Sequence, residues 1–308
     1  MTLTISKDFY PGSNGTSKIE RVLVHPEGAP KGIVYFAHGV TEYAERHMNT
    51  MHEIAAAGYI VVANSHMGHG ESTSDARMYF TGRHNRCGWE CAVEDAETSL
   101  FSVRAEYPGL PVYGIGFSLG SFVVRHMAIK YPKLFKSIVL LGTGYQGKLA
   151  IKLGQMMAES EGKKHGMTKG TAKIDGLTFG TYNKKFEKGT HVDWLCASDE
   201  ARKAYLNDKR IGMGFTAGLF YDLLYGMEYT CDSSNISTMN KDCQILMISG
   251  GQDAVGDFGK GVATLEKLYN KCGLKAQKII YDNARHDILN ENCAKLVRQD
   301  IINFISNT

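Results

Sequence analysis

Ser118 stands between Gly116 and Gly120 in the segment YGIGFSLGS (113–121), at the end of an apolar run and ahead of a helix-like stretch. A hydroxyl fenced by residues without side chains has the form of a nucleophile on a sharp turn. The glycines remove Cβ atoms that would collide, and the serine is held at positive φ with its Oγ exposed. The motif alone is weak, because a chain with 34 glycines in 308 residues yields about 0.2 such matches by chance. A neutral serine is also a poor nucleophile and needs a base within hydrogen-bond reach. His286 is the candidate base, on turn residues a little beyond the last apolar run, in QKIIYDNARHD. Asp253, after the glycine pair of CQILMISGGQD, is the candidate acid that would orient His286 and stabilise its imidazolium. The three candidates fall in the chain order Ser, Asp, His. For the oxyanion, Gly39 in AHGVTE lets the backbone turn so that the Val40 amide can point at a substrate oxygen beside the Leu119 amide.

These residues need elements to hold them. Apolar runs rich in β-branched residues occur at 32–39, 59–65, 111–118, 137–144, 243–251 and 277–284. Near-continuous apolarity marks strands covered on both faces. Helical spacing fills 47–57, 87–105, 119–131 and 259–273 between them. The alternation predicts an α/β fold with a parallel, doubly wound sheet. The earlier KIERVLVHP (18–26) alternates as an antiparallel edge strand does. Ligands bind outside the carboxyl ends of strands in such sheets, and Val40, Ser118, Asp253 and His286 all fall where apolar runs stop. Between Gly144 and Gly214 the rhythm breaks into helical pieces, KLAIKLGQMMAES with Leu149, Leu153 and Met156 at i, i+4, i+7, and SDEARKAYLND. So long a stretch is too long for a structureless loop. It is read as a helical cap over 145–213, inserted into a core of 1–144 and 214–308.

Composition narrows the classes of partner. Hydrophobic content of 43% and charged content of 22% are ordinary for a globular chain, and a net charge of +3 argues for neither nucleic acid nor an anionic surface. No stretch approaches the ~18 apolar residues of a membrane span. The first residues, MTLTISKDFYPGSNG, lack the basic head and apolar block of a signal peptide. The cysteines at 87, 91, 196, 231, 243, 272 and 293 are scattered and odd in number, as expected of free thiols in a reducing cytoplasm. Cys87 and Cys91 are one helical turn apart, with no nearby pair to complete a zinc set.

With these parts in view, the chain resembles the α/β-hydrolase superfamily. More narrowly it is similar to the monoacylglycerol lipase and lysophospholipase branch, which includes proteins named as serine aminopeptidases. HGVTEYAERH carries the branch's oxyanion His-Gly followed by Glu42 and Arg46. SHMGHGES (65–72), GFSLG, SGGQDAVGD and ARHDILNE match its remaining motifs along essentially the whole chain. The resemblance implies an eight-stranded, mostly parallel sheet with a helical cap after the sixth strand. It also implies Ser118 as nucleophile, Asp253 as acid, His286 as base and the Val40 and Leu119 amides as the oxyanion hole. Ser65, Met67 and Ala254 depart from the usual Asp, Arg and Pro; none removes a catalytic group.

Several residues carry two readings. His38, His66 and His69 form either a metal cluster or, as such loop histidines more often do, hydrogen-bonded braces. Asp257 and Asp242 compete with Asp253, but Asp242 precedes its strand and Asp257 lies further into the loop. Glu42 and Arg46 either form an ion pair under the oxyanion loop or touch substrate. His191 is read as a surface or packing residue of the cap, and CGWEC as a helix start with a buried tryptophan. His38, Met156, Met213 and Phe215 are candidate substrate contacts, with Met157, Leu219 and Phe220 as further candidates for an acyl pocket or plain core. The expected activity is hydrolysis, through a Ser-His-Asp triad and an acyl-enzyme, of a lipid-like carboxylester of the monoacylglycerol or lysophospholipid type, without cofactor or metal. An amide or peptide hydrolase and a non-catalytic sensor on the same fold are the alternatives. Oligomeric state is not encoded in these motifs.

Overall fold

The computed structural model describes residues 3–72, 88–186, 189–211 and 214–308. Its strands are β1 (Thr4–Pro11), β2 (Lys18–His25), β3 (Gly32–Ala37), β4 (Tyr59–Asn64), β5 (Val112–Phe117), β6 (Ser137–Leu141), β7 (Gln244–Gly250) and β8 (Lys275–Tyr281). They form one eight-stranded sheet in the order β1-β2-β4-β3-β5-β6-β7-β8. Pairing is parallel from β4 through β8, and β2 joins antiparallel to both β1 and β4. This is the α/β-hydrolase architecture. KIERVLVHP is antiparallel as expected, but it is not the edge. β1 covers it in register from Thr4 opposite His25 to Pro11 opposite Lys18. Nearly all of β1 is exposed, which is why it leaves no apolar signature.

Every residue of β3, β4, β5 and β6 is buried. Successive side chains point to opposite faces, so each strand feeds two cores. Ile33, Tyr35, Ile60 and Val62 pack with Leu100, Val123, Met127 and Leu265, which lie on α2 (Gly88–Glu106), α3 (Leu119–Lys130) and α10 (Lys260–Lys271). Val34, Phe36, Val61 and Ile115 pack with Met51, Ile54, Val297 and Ile301, from α1 (Met48–Ala56) and α11 (Ala294–Ser306).

Between β6 and β7 lie α4 (Lys148–His165), α5 (Ala172–Leu177), α6 (Phe179–Tyr182), α7 (Asp199–Asn207), α8 (Ala217–Cys231) and α9 (Ser233–Ile236). Ser198 and Thr216 cap α7 and α8 by accepting from the Ala201 and Leu219 amides at 3.2 and 3.0 Å. α8 joins this layer to the core, touching α4 on one side and α2 and α3 on the other. Trp89 of α2 is fully buried against it, as its place in CGWEC predicts. A Cβ at Gly226 of α8 would lie 2.2 Å from the indole. Arg125 of α3, also fully buried, donates to the Thr230 and Gly144 carbonyls at 2.8 and 3.1 Å. A cation is favoured there by the carbonyl end of α8, and the bond to Gly144 fixes the loop leaving β6. Among the described residues no helix is long and apolar enough to cross a membrane.

Candidate active site

The turn from β5 into α3 is set by contact distances. A Cβ at Gly116 would lie 2.4 Å from the Gly120 carbonyl oxygen, and one at Gly120 would lie 2.1 Å from that of Ala37. Only glycine fits at either place. Ser118 between them adopts φ 50° and ψ −117°, a region that L-residues avoid unless the surroundings impose it. Its amide donates to the Leu141 carbonyl at 2.9 Å, anchoring the turn to β6.

The loops after β7 and β8 bring Asp253 and His286 to this turn. The Ser118 hydroxyl lies 2.9 Å from His286 Nε2, while His286 Nδ1 lies 3.0 Å from each oxygen of the Asp253 carboxylate. A carboxylate accepts only, so Nδ1 carries the proton and Nε2 is left to accept from Oγ. Asp253 is fully buried and is held by the Val255 amide at 2.8 Å and the Ser249 hydroxyl at 3.3 Å. Burial acts to lower the His286 pKa, but the Asp253 carboxylate at Nδ1, with Asp287 and Glu42 beyond it, raises it above the usual imidazole value. Of the competing carboxylates, Asp253 is the one in contact with this ring; Asp257 lies further along, itself at φ 49°.

Ser118 and His286 open into a cavity of about 110 Å³, also lined by Val40, Leu119, Phe122, Trp194, Phe215, Leu223 and Met227. Trp194 lies 5.4 Å from the His286 ring, centroid to centroid. The chain beside it is pinned to the loop that carries His286: the Asp287 amide donates to the Leu195 carbonyl at 2.6 Å, and Glu291 accepts from the Ala197 and Arg285 amides at 2.7 and 2.8 Å. A second cavity of about 660 Å³ lies within the cap and includes His191. Trp194 and Tyr205 border both.

Below the cavity runs a buried chain of charge. Arg46 bridges Glu42 at 3.1 Å and Asp287 at 2.6 Å, and His47 Nε2 contacts Glu42 at 2.7 Å. The other duty of Glu42 is to accept the Gly39 amide at 2.6 Å. Although burial opposes ionisation, His47, Arg46 and that amide hold the Glu42 pKa near 2. Glu42 and Arg46 therefore form the expected ion pair, and Glu42 also borders the cavity.

Two expected substrate contacts are corrected. His38 is fully buried. It donates from Nδ1 to the Gly39 carbonyl at 2.7 Å and accepts the His66 amide at Nε2 at 2.9 Å. His66 donates from Nε2 to the His38 carbonyl at 3.1 Å, and His69 contacts the Met67 carbonyl at the same distance. These rings brace loops, and burial drives the His66 and His69 pKa values down to about 4 and 3. Met156 faces away from the cavity, 66% exposed on α4 with Leu149 and Leu153. Met213 and Cys87 lie outside the described residues. Phe215 lines the cavity; Leu219 is buried in the core beside it. Trp194, Tyr205, Leu223 and Met227 were not picked out from sequence. Continuing the spacing from Phe215 through Leu219 to 223 and 227 would have found the last two. Among the described residues Glu20, Glu45 and Glu71 come close enough to share a cation, but the Lys7 ammonium already pairs with all of them.

The eight-stranded sheet, the turn at Ser118 and the capped cavity define an α/β-hydrolase. The chain belongs to the family described as serine aminopeptidase, S33, which matches residues 28–293. It is similar to human monoglyceride lipase, with 30% identity over 38% of this chain and 36% of that protein. It is also similar to the monoacylglycerol lipase of Mycolicibacterium smegmatis, with 30% identity over 45% of this chain and 47% of that one. These alignments span less than half the length of the curated relatives. Among solved structures, a thermostable carboxyl esterase from Bacillus coagulans superposes with a TM-score of 0.91 at 23% identity, covering 99% of each chain. A soluble variant of monoglyceride lipase from Saccharomyces cerevisiae gives 0.73 at 16% identity, covering 97% of this chain and 94% of that one. At such identities the likeness is one of fold.

Proposed function

We propose that this protein is a serine carboxylester hydrolase acting through an acyl-enzyme on lipid-like esters of the monoacylglycerol or lysophospholipid type. Ser118 Oγ attacks the ester carbonyl as His286 Nε2 takes its proton, and the Val40 and Leu119 amides receive the oxyanion. His286 then protonates the leaving alcohol, and afterwards takes a proton from the water that releases the acid. Asp253 keeps the imidazole in the productive tautomer and balances its charge. No cofactor enters this sequence of steps.

The observation that carries the reading is the unbroken chain from Oγ to Nε2 at 2.9 Å and from Nδ1 to carboxylate at 3.0 Å, opening into an apolar cavity. Phe122, Phe215, Leu223 and Met227 suit an acyl chain, and the activities named for the curated relatives point the same way. The family's description raises an amine-terminated amide as a substrate. Binding a free ammonium calls for an available carboxylate at the cavity. Glu42, the carboxylate among the described lining residues, is already committed to Gly39, Arg46 and His47, so esters are favoured. A reducing cytoplasm suits a chain in which Cys196, Cys231, Cys243, Cys272 and Cys293 are free thiols.

The test is turnover of monoacylglycerols and lysophospholipids of graded chain length against aminoacyl anilides, with Ser118→Ala as control. The ester series is expected to be hydrolysed and the anilides left; the reverse preference, or turnover surviving in the control, would overturn the proposal.

A further inference from the structure

Thr41 follows the proposed oxyanion donor Val40, and its φ is 66°. That is a left-handed conformation in which a β-branched residue is a rare outlier. Something outside the turn must hold it there. On one side Glu42 grips the Gly39 amide at 2.6 Å. On the other, the Thr41 Oγ1 lies 2.9 Å from the hydroxyl of Tyr205, a residue of α7 in the cap, 164 positions away. The Tyr205 ring is itself seated under the Arg46 guanidinium, 5.1 Å from its centroid.

We propose that Tyr205 is a positioning residue for the oxyanion hole: its hydroxyl holds Thr41 left-handed, and so aims the Val40 amide into the cavity beside Ser118. This role rests on the esterase reading above. The cap then does more than roof the cavity, because the donor pair is complete only with α7 seated on the turn. Substrate recognition by the cap and transition-state stabilisation by the core share one hydrogen bond.

The geometry allows the hydroxyl to be removed without unseating the cap. Tyr205→Phe keeps the ring beneath Arg46. Beyond α7, Asp208 still bonds the Tyr43 hydroxyl and Arg210 still pairs with Glu45 at 2.9 Å. With Thr41 released toward ordinary φ, the Val40 amide is misaimed rather than deleted. The expected loss in kcat is about tenfold, short of the ~10²–10³ for a donor removed outright. KM for a small ester should change by less than about twofold, because that substrate needs little from the cap.

The decisive variant is Thr41→Gly in the Tyr205→Phe background. Glycine adopts positive φ without steric strain and so needs no partner to reach it, and kcat should return to within about threefold of wild type. p-Nitrophenyl acetate is the probe, with fluorophosphonate labelling of Ser118 counting competent sites. An unchanged kcat in Tyr205→Phe would overturn the role while leaving the esterase reading intact. A loss that glycine fails to rescue would overturn it too, marking the bond as structural. Wild-type protein inert to both probes would instead overturn the esterase reading, and this role with it.

Discussion

The strand-end loops and the cap meet at one cavity but are held there differently. Ser118 and the turn around it are imposed by backbone: only glycine fits at 116 and 120, and Ser118 is forced to positive φ. Asp253 and His286 are buried and hydrogen-bonded to each other at 3.0 Å. The residues on the opposite wall, Trp194 and Tyr205 before α8 and Leu223 and Met227 on it, are carried on helices and the loops between them. Strand ends give rigid placement, which reacting groups require. Away from α7, a helical layer gives a wall that can vary in shape without disturbing the chemistry. The Arg46 network and the Tyr205–Thr41 bond are where the two meet.

Changes to the strand-end set should act on rate, and among variants that keep both Ser118 and His286 the largest effect is expected at Asp253. Asp253→Asn removes the charge that favours the imidazolium and should lower kcat by ~10⁴. Its pH profile carries the sign. Catalysis needs neutral His286, so kcat/KM falls as pH drops through the His286 pKa. In wild type that limb is expected above the usual imidazole range, because Asp253 raises the pKa against the pull of burial. In Asp253→Asn the limb should move to lower pH, and a limb left in place would detach it from His286.

At the junction, Arg46→Ala would strand Glu42 and Asp287, both buried, without their shared cation. A cost of ~3–5 kcal/mol is expected, read by urea unfolding at pH 7; a loss under 1 kcal/mol would show the network to be dispensable. On the apolar wall of the cavity the effect should turn from rate to choice. Leu223→Trp fills the cavity and should lower kcat/KM for long acyl esters by about tenfold or more relative to acetate esters. Equal losses on both would place Leu223 among the rate-determining groups. The smallest effect belongs to Met156, exposed on the outer face of α4. Met156→Ser should leave turnover unchanged and stability within about 0.5 kcal/mol.

The same division decides what could be read from sequence. The convergence of Ser118, Asp253 and His286 was legible because the direction of a parallel strand fixes where its end emerges, and local motifs mark those ends. The wall of the cap was not. Helical spacing reveals a stripe such as Leu149, Leu153 and Met156, but not whether it faces a cavity or water, since that follows from how α4 docks on α8. His38 misled for a related reason: it sits at a strand end, yet its ring turns inward to the His66 amide, an orientation set by a distant loop. β1 escaped notice because an exposed edge strand needs no apolar run.

The most direct test of the central claim, that a serine, an imidazole and a carboxylate converge at the mouth of the sheet as one nucleophilic unit, is intact-mass and peptide mapping after fluorophosphonate treatment. One adduct per chain on Ser118 is predicted, slowed severely in Asp253→Asn and absent in Ser118→Ala. An adduct on another residue, or labelling at Ser118 indifferent to the loss of Asp253, would contradict it.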